Sequence, residues 1–361
     1  MNALEMIPQL IRASVEKDEN SIEVISLTMA NKLRNKHADI AKEIDKILFE
    51  RNIGNNSYRS IGLSNIPTDK KNNENLINIK EVGKVEMPIL SDENKIAFEK
   101  FLNEQDKKYE LMKIGLRPTN SILLYGEPGV GKTYSATWLA SVLKKPLVIL
   151  DLATIVSSYL GETGTNIKKV LDYAKENDCV LFLDEFDAIA KTRTDARELG
   201  EMKRIVNVLL KELEEWPIGS IVIAATNHEE LLDKAIWRRF DMKVKIGLPT
   251  REAIKKIIYR EFKELKGIDS DYYELLVDTL EEENGAEVVR KCTEIKRDYV
   301  LYEKTIEELI LCNCGDKIRK LNKDSKKKII KKMKEKDFSV EKMSELTTIP
   351  KSTVYKYCKE I

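Results

Sequence analysis

The sequence predicts an α/β protein: a five-stranded parallel sheet covered by helices, a helical lid after it, and a small α-helical domain at each end. Three observations predict it. Five short, nearly all-apolar runs alternate with helical patterns between residues 85 and 248, as expected of strands buried on both faces. A glycine-rich stretch, "GEPGVGKT" at 126–133, stands between the first of these strands and a helix. Outside this block the apolar spacing is helical only.

The 361 residues allow two or three domains. An apolar fraction of 42% is ordinary, and a charged fraction of 34% indicates long solvated helices. The net charge of +1 is unevenly spread: residues 315–361 hold 15 Lys or Arg against 7 Asp or Glu, a local +8. Five cysteines at scattered spacings predict reduced, structural thiols, because Cys312 and Cys314 have no second Cys or His pair nearby. The N-terminal stretch lacks a basic segment followed by an apolar core, and no apolar run reaches spanning length. A cytoplasmic protein without a membrane partner is expected.

Residues 1–51 predict three short helices, with Ile7, Leu10 and Ile11, then Ile40, Ile44, Ile47 and Leu48, at helical spacing. Residues 52–84 predict a linker, with eight Asn between 52 and 78. The strands follow at 121–125, 146–151, 179–184, 220–226 and 242–247, all inside a large subdomain spanning 85–248. A helical lid is expected over 249–314 and a separate basic domain over 315–361.

Gly126, Glu127, Pro128, Gly129, Val130, Gly131, Lys132 and Thr133 fit the pattern G-x-x-x-x-G-K-[ST], in the strand-to-helix context it requires. Bare backbone lets the N–H groups turn inward around a polyphosphate, and the helix N-terminus adds its positive dipole end. Lys132 can reach the β- and γ-phosphates, the Thr133 hydroxyl can ligate Mg²⁺, and Tyr134 completes the expected binding segment. "CVLFLDEFDAIA" ends a strand with Asp184 and Glu185 side by side. The first carboxylate suits Mg²⁺, together with Thr133. The second suits polarising an attacking water, which hydrolysis needs and simple binding does not.

Over residues 85–310 the chain resembles the AAA ATPases, specifically the branch holding katanin, spastin, FtsH and the proteasomal ATPases. The resemblance implies a P-loop NTPase fold and hydrolysis of ATP with Mg²⁺. It makes Asn227, at the end of "IVIAATN", the residue that senses the γ-phosphate. In "DKAIWRRFD" it makes Arg239 the arginine finger, with Arg238 accessory. A finger so far from its own phosphate loop acts on the neighbouring subunit, implying a ring, in this family usually a hexamer. Tyr159, Leu160 and Gly161 match the triplet that lines the family's channel and grips a protein substrate. Gly285 and Ala286 let a lid helix approach the adenosine. The upstream adenine motif is absent, and "VEMPILSDEN" at 85–94 takes its place. Similarity to bacterial stand-alone members, some encoded beside subtilisin-like proteases, makes a protease a candidate partner.

"SVEKMSELTTIPKSTVYKY" resembles a helix-turn-helix: Val340, Met343 and Leu346 share one face, and Val354 and Tyr357 pack a second helix. Lys351, Ser352, Thr353 and Lys356 would then face DNA, with Lys326, Lys327, Lys328, Lys331 and Lys332 neutralising phosphates. The leading expectation is a ring-forming ATPase that remodels or threads a protein. A DNA-associated ATPase and a nucleotide-dependent assembly switch are the alternatives.

Overall fold

The computed structural model describes residues 6–8, 11, 25, 26, 29, 66–68, 75–158, 163–189, 196–265 and 268–360. The chain divides into two units, 1–66 and 67–361. The helices expected over 1–51 lie almost wholly outside the described residues, as does the triplet Tyr159, Leu160 and Gly161.

The second unit is built on a sheet of six strands: β1 (Asn78–Lys80), β2 (Ser121–Tyr125), β3 (Leu147–Asp151), β4 (Val180–Asp184), β5 (Ile221–Thr226) and β6 (Met242–Lys245). Their order is β1-β3-β4-β5-β2-β6. The five expected strands are parallel, and β1 adds an antiparallel edge by pairing Asn78–Lys80 with Ile149–Leu147. This corrects both the five-strand count and the linker boundary at 84. Leu76 and Ile77 are buried, so the end of the Asn-rich stretch belongs to the folded unit. Three strand residues are too few to show an alternating pattern among so many asparagines.

Ile122, Leu124, Val180, Phe182, Ile223 and Val244 point to one face. There they meet Phe98 and Phe101 of α1 (Asp92–Asp106) and Ala136, Leu139 and Ala140 of α3 (Lys132–Leu143). Helix α2 (Lys108–Lys113) leads from α1 towards β2. The alternate residues Leu123, Leu181, Leu183, Val222 and Ala224 are buried too, so the second face is covered as well. Along α5 (Thr163–Glu176), Ile167, Val170, Leu171 and Ala174 recur at i, i+3, i+4 and i+7 and are all buried. Burial of each of Ile167, Val170 and Leu171 contributes about 1.5–3 kcal/mol. Between β3 and α5 lies α4 (Leu152–Ser158), and α6 (Ala196–Glu214) precedes β5.

Beyond α7 (Lys234–Arg239) and β6 the chain is helical: α8 (Arg251–Glu261), α9 (Ser270–Thr279), α10 (Gly285–Leu301) and α11 (Ile306–Lys320) form the lid. Helices α12 (Lys323–Glu335), α13 (Val340–Thr347) and α14 (Lys351–Glu360) follow. The expected domain boundary at 314/315 falls inside α11. A single core runs from Ile254 through Leu276, Ile310 and Cys314 to Ile330, Met343, Val354 and Tyr357. The tail is thus an extension of the lid. Gly315 lets it close: a Cβ there would lie 3.0 Å from the Thr348 methyl, and the Thr348 hydroxyl donates to the Gly315 carbonyl at 3.0 Å. Burial pushes the thiols of Cys179, Cys292 and Cys314 up to about 12, which keeps them protonated.

Candidate active site

The parallel strands β2 to β5 end on one edge of the sheet, and the pairing sets Tyr125 opposite Thr226 and Asp151 opposite Asp184. The glycine loop leaves β2 at this edge and enters α3. Gly126 has φ +141°, and a Cβ on it would lie 2.1 Å from the Ile246 carbonyl oxygen, so glycine is required there. Gly129 has φ +77° and abuts the Asn284 side chain, where a Cβ would come within 2.6 Å.

Lys132 is buried and donates to the carbonyls of Gly126 and Glu127, both at 2.8 Å. Burial lowers its pKa, and the charges of Asp184 and Asp187 oppose that shift. Asp184 accepts from the Glu185 backbone N–H at 2.9 Å and from the Thr133 hydroxyl. Burial holds its pKa above the usual carboxylate range, and the nearby Asp151 adds to this. Thr133 and Asp184 set a hydroxyl and a part-buried carboxylate side by side, a hard oxygen pair that fits Mg²⁺.

Glu185 is exposed at the tip of β4 with φ +50°, a left-handed backbone that a non-glycine residue adopts at a cost of about 1–3 kcal/mol. Asn227 follows β5. Asp187, buried at 3% exposure, accepts from the Thr226 hydroxyl at 3.1 Å and from the Asn227 backbone N–H at 3.4 Å. That carboxylate ties the end of β5 to the turn after Glu185.

The lid closes the other side. The side chain of Asn284, at the N-terminus of α10, accepts from the Glu287 N–H at 2.9 Å, and the Ala286 N–H donates to the Gly129 carbonyl at 2.9 Å. Loop, acidic pair and lid enclose a cavity of about 1070 Å³, ample for a nucleoside triphosphate. Its walls include residues 128–134, Asp184, Glu185, Asn227, Gly285 and Ala286. Gly126 and Glu127 stand behind it, as the acceptors that hold Lys132.

Arg238 and Arg239 are not in the walls. They end α7, where Arg239 donates to Glu214 at 2.7 Å and its Nε is buried without a hydrogen-bond partner among the described residues. The far wall comes from residues that the motifs did not indicate: Val85, Pro88 and Ile89 before α1, with Ile257, Arg260 and Val289 of the lid. The segment at 85–94 thus supplies the cavity wall for which no motif was recognisable. Asp187 was missed as well, because nothing in "DEFD" marks which of its three carboxylates is buried.

In the tail, α13 and α14 meet through a three-residue turn in which Thr348 has φ +56°. Met343, Leu346, Val354 and Tyr357 are buried; Lys351, Ser352 and Lys356 are exposed and Thr353 is half-buried. Three of the lysines expected to meet phosphates are ion-paired within the chain instead, Lys328 while remaining exposed. Lys327 pairs with Glu360 at 2.5 Å, Lys328 with Asp271 at 3.4 Å, and Lys332 with Asp269 and Asp271 at 2.8 and 2.6 Å.

Residues 122–248 match the family model "ATPase family associated with various cellular activities (AAA)". The chain is 38% identical over 200 residues to an uncharacterized AAA family ATPase of Sinorhizobium fredii, covering 55% of this chain and 60% of that one. It is 36% identical over 192 residues to a proteasome-activating nucleotidase of Archaeoglobus fulgidus, covering 50% and 48%. The chain thus spans about half to three fifths of the length of the curated relatives it matches. Among solved structures, the FIGL-1 AAA domain superposes with a TM-score of 0.54 at 20% identity, over 84% of this chain and 94% of that one, a likeness of fold. Among the described residues no helix is long and apolar enough to cross a membrane.

Proposed function

Because the chain contains an AAA ATPase domain, whose ligands are ATP and Mg²⁺, we propose that the protein hydrolyses ATP in a ring of its own copies and uses the cycle to remodel a protein substrate. One observation carries the ring: Arg239 stands outside the cavity of its own chain, with a buried Nε that has no hydrogen-bond partner among the described residues. A neighbouring copy that brought its cavity to this edge would give the guanidinium a phosphate to meet and complete the charge stabilisation of the transition state.

The geometry supports the following residue roles. Lys132 exchanges the Gly126 and Glu127 carbonyls for phosphate oxygens. Thr133 and Asp184 hold Mg²⁺, which when bound neutralises phosphate charge. Glu185, exposed at the cavity, takes the proton of the attacking water, and Asn227, anchored through Asp187, orients it. Glu185 favours turnover over a passive assembly switch. The Archaeoglobus fulgidus relative is named for proteasome activation, in keeping with a protein substrate and a protease partner; Tyr159, Leu160 and Gly161 are the proposed grip.

The test mixes Arg239→Ala subunits with Lys132→Ala subunits, each inactive alone. Recovered ATPase activity supports action across a subunit boundary, because some interfaces then join an intact loop to an intact finger. No recovery, with mixed assemblies demonstrated by mass, overturns it.

A second reading, DNA association, is favoured by the exposed face of α14. Its test is duplex affinity against salt for the Lys351→Ala/Lys356→Ala variant. Loss of about two phosphate contacts should reduce the slope of log affinity against log salt by about two. An unchanged slope removes this reading.

A further inference from the structure

Residues 82–90 form neither helix nor strand, yet they are held from two sides. Val82, Val85 and Leu90 pack on the core of the sheet, whereas Ile89 packs on the core of the lid. On the sheet side, the Val85 N–H donates to the Ser141 hydroxyl at 3.1 Å, and that hydroxyl donates to the Gly83 carbonyl at 2.7 Å. Tyr134, the residue after Thr133, donates its hydroxyl to the Glu86 carbonyl at 3.0 Å. On the lid side, Arg260 donates to the Met87 carbonyl at 3.3 Å, and Lys263 to the Glu86 carboxylate at 2.9 Å. The Arg260 guanidinium lies 4.0 Å from that carboxylate and 5.6 Å from the centre of the Tyr134 ring.

We infer that residues 82–90 are a strap across the end of the cavity remote from the phosphate loop, and that Glu86 is the positioning residue that latches it to the lid, so that the latch governs release of product nucleotide. This rests on the nucleotide reading above and adds a control point to it. Among the described residues the lid touches the sheet side at both ends of the cavity. At the phosphate end the contact is a main-chain bond, Ala286 to Gly129, beside the close fit of Asn284. At the other end it is the partly buried Ile89 on the lid core and the Glu86 cluster, whose pair of Glu86 and Lys263 is open to water at 55% and 59% exposure while Arg260 is 23% exposed. Exposed ion pairs hold weakly and are screened by salt, so this is the end that gives first. With the phosphates on the loop, the base lies among Val85, Ile89, Ile257 and Val289. It leaves when the strap and the lid part.

The probe is a fluorescent ADP analogue, displaced by excess ATP in a stopped-flow experiment on the full chain. Glu86→Lys places a third cation beside Arg260 and Lys263. It is expected to speed release about three- to tenfold, the scale of one lost surface pair plus like-charge repulsion. The KM for ATP should rise with it, while kcat does not fall. Adding Lys263→Glu restores an opposite pair and should return release to within about twofold of the unaltered protein. A merely structural role for Glu86 would not be rescued by reversing the pair. Release from Glu86→Lys at the unaltered rate, or failure of the double variant to restore it, overturns the latch. Failure of the unaltered protein to bind the analogue at all would instead remove the nucleotide reading on which the latch depends.

Discussion

At the residue scale, the site depends on backbone that few residues can adopt and on one buried acid. Gly126→Ala would drive a Cβ to 2.1 Å from a main-chain oxygen at positive φ. The expected outcome is loss of nucleotide binding with a marked fall in Tm, checked by calorimetry and thermal melting. Glu185→Gln keeps the shape and removes the base; it should still bind ATP but turn it over about a hundredfold or more slowly, measured by single-turnover hydrolysis. Asp187→Ala removes the acceptor of both Thr226 and Asn227. It should lower kcat more than it raises KM, because the γ-phosphate sensor loses its anchor while the cavity walls stay in place. The glycines, Lys132 and Asp184 were legible in the sequence because a polyphosphate site restricts residue type at fixed spacing. Asp187 was not: "DEFD" offers three carboxylates, and only the approach of β5 decides which of them is buried.

At the element scale, the legible part of the fold was the part with strong periodicity. The five apolar strands and α5 follow from burial on both faces and on one face, respectively. Strand β1 was read as linker, and residues 85–90 of the strap as part of the large subdomain with no recognisable motif, because their main chain is fixed by contacts far along the chain, Ile149 for one and Arg260 for the other. The boundary between lid and tail was misplaced because charge changes abruptly near residue 315 while the hydrophobic core does not. Lys332 illustrates the join: it pairs with Asp269 and Asp271 of the lid. Its hydrogen bonds hold both carboxyls below their usual range. A depressed carboxylate contributes stability above its unfolded pKa of about 3.9 and loses it as pH falls through the lower folded value. Lys332→Met should therefore lower stability near neutrality by about 1 kcal/mol or less, since the groups are largely solvated. The deficit should shrink in melts below about pH 3.9. A chain ending at Gly315 should melt far earlier than the full chain, because the cut removes Ile330, Met343, Val354 and Tyr357 from a shared core.

At the scale of the whole molecule, one chain holds a nearly complete site and a misplaced arginine. The cavity gathers the glycine loop with Thr133, Asp184, Glu185 and Asn227, the proposed Mg²⁺ ligands, base and sensor. Arg239 sits at the end of α7 with Glu214 as its ion-pair partner, although phosphoryl transfer calls for positive charge at the γ-phosphate. A neighbour's arginine would meet that need, and activity would then require association. The specific ATPase activity should rise with protein concentration and level off once assembly is complete, since on this proposal each chain would work only when its cavity faces another copy's α7. The Arg239→Ala protein should bind nucleotide as tightly as the unaltered protein and assemble alike, yet show low activity that no concentration restores. Arginine fingers elsewhere change kcat by about 10³–10⁵, so the loss is easily resolved. The two measurements belong together: sedimentation velocity gives the fraction assembled, and phosphate release gives the rate at the same concentrations. Rate tracking the assembled fraction in the unaltered protein, and staying flat in the variant, is the expected pair of curves. A rate per chain independent of dilution would mean that each copy completes its own site, and Arg239 would then be a surface residue held by Glu214 alone.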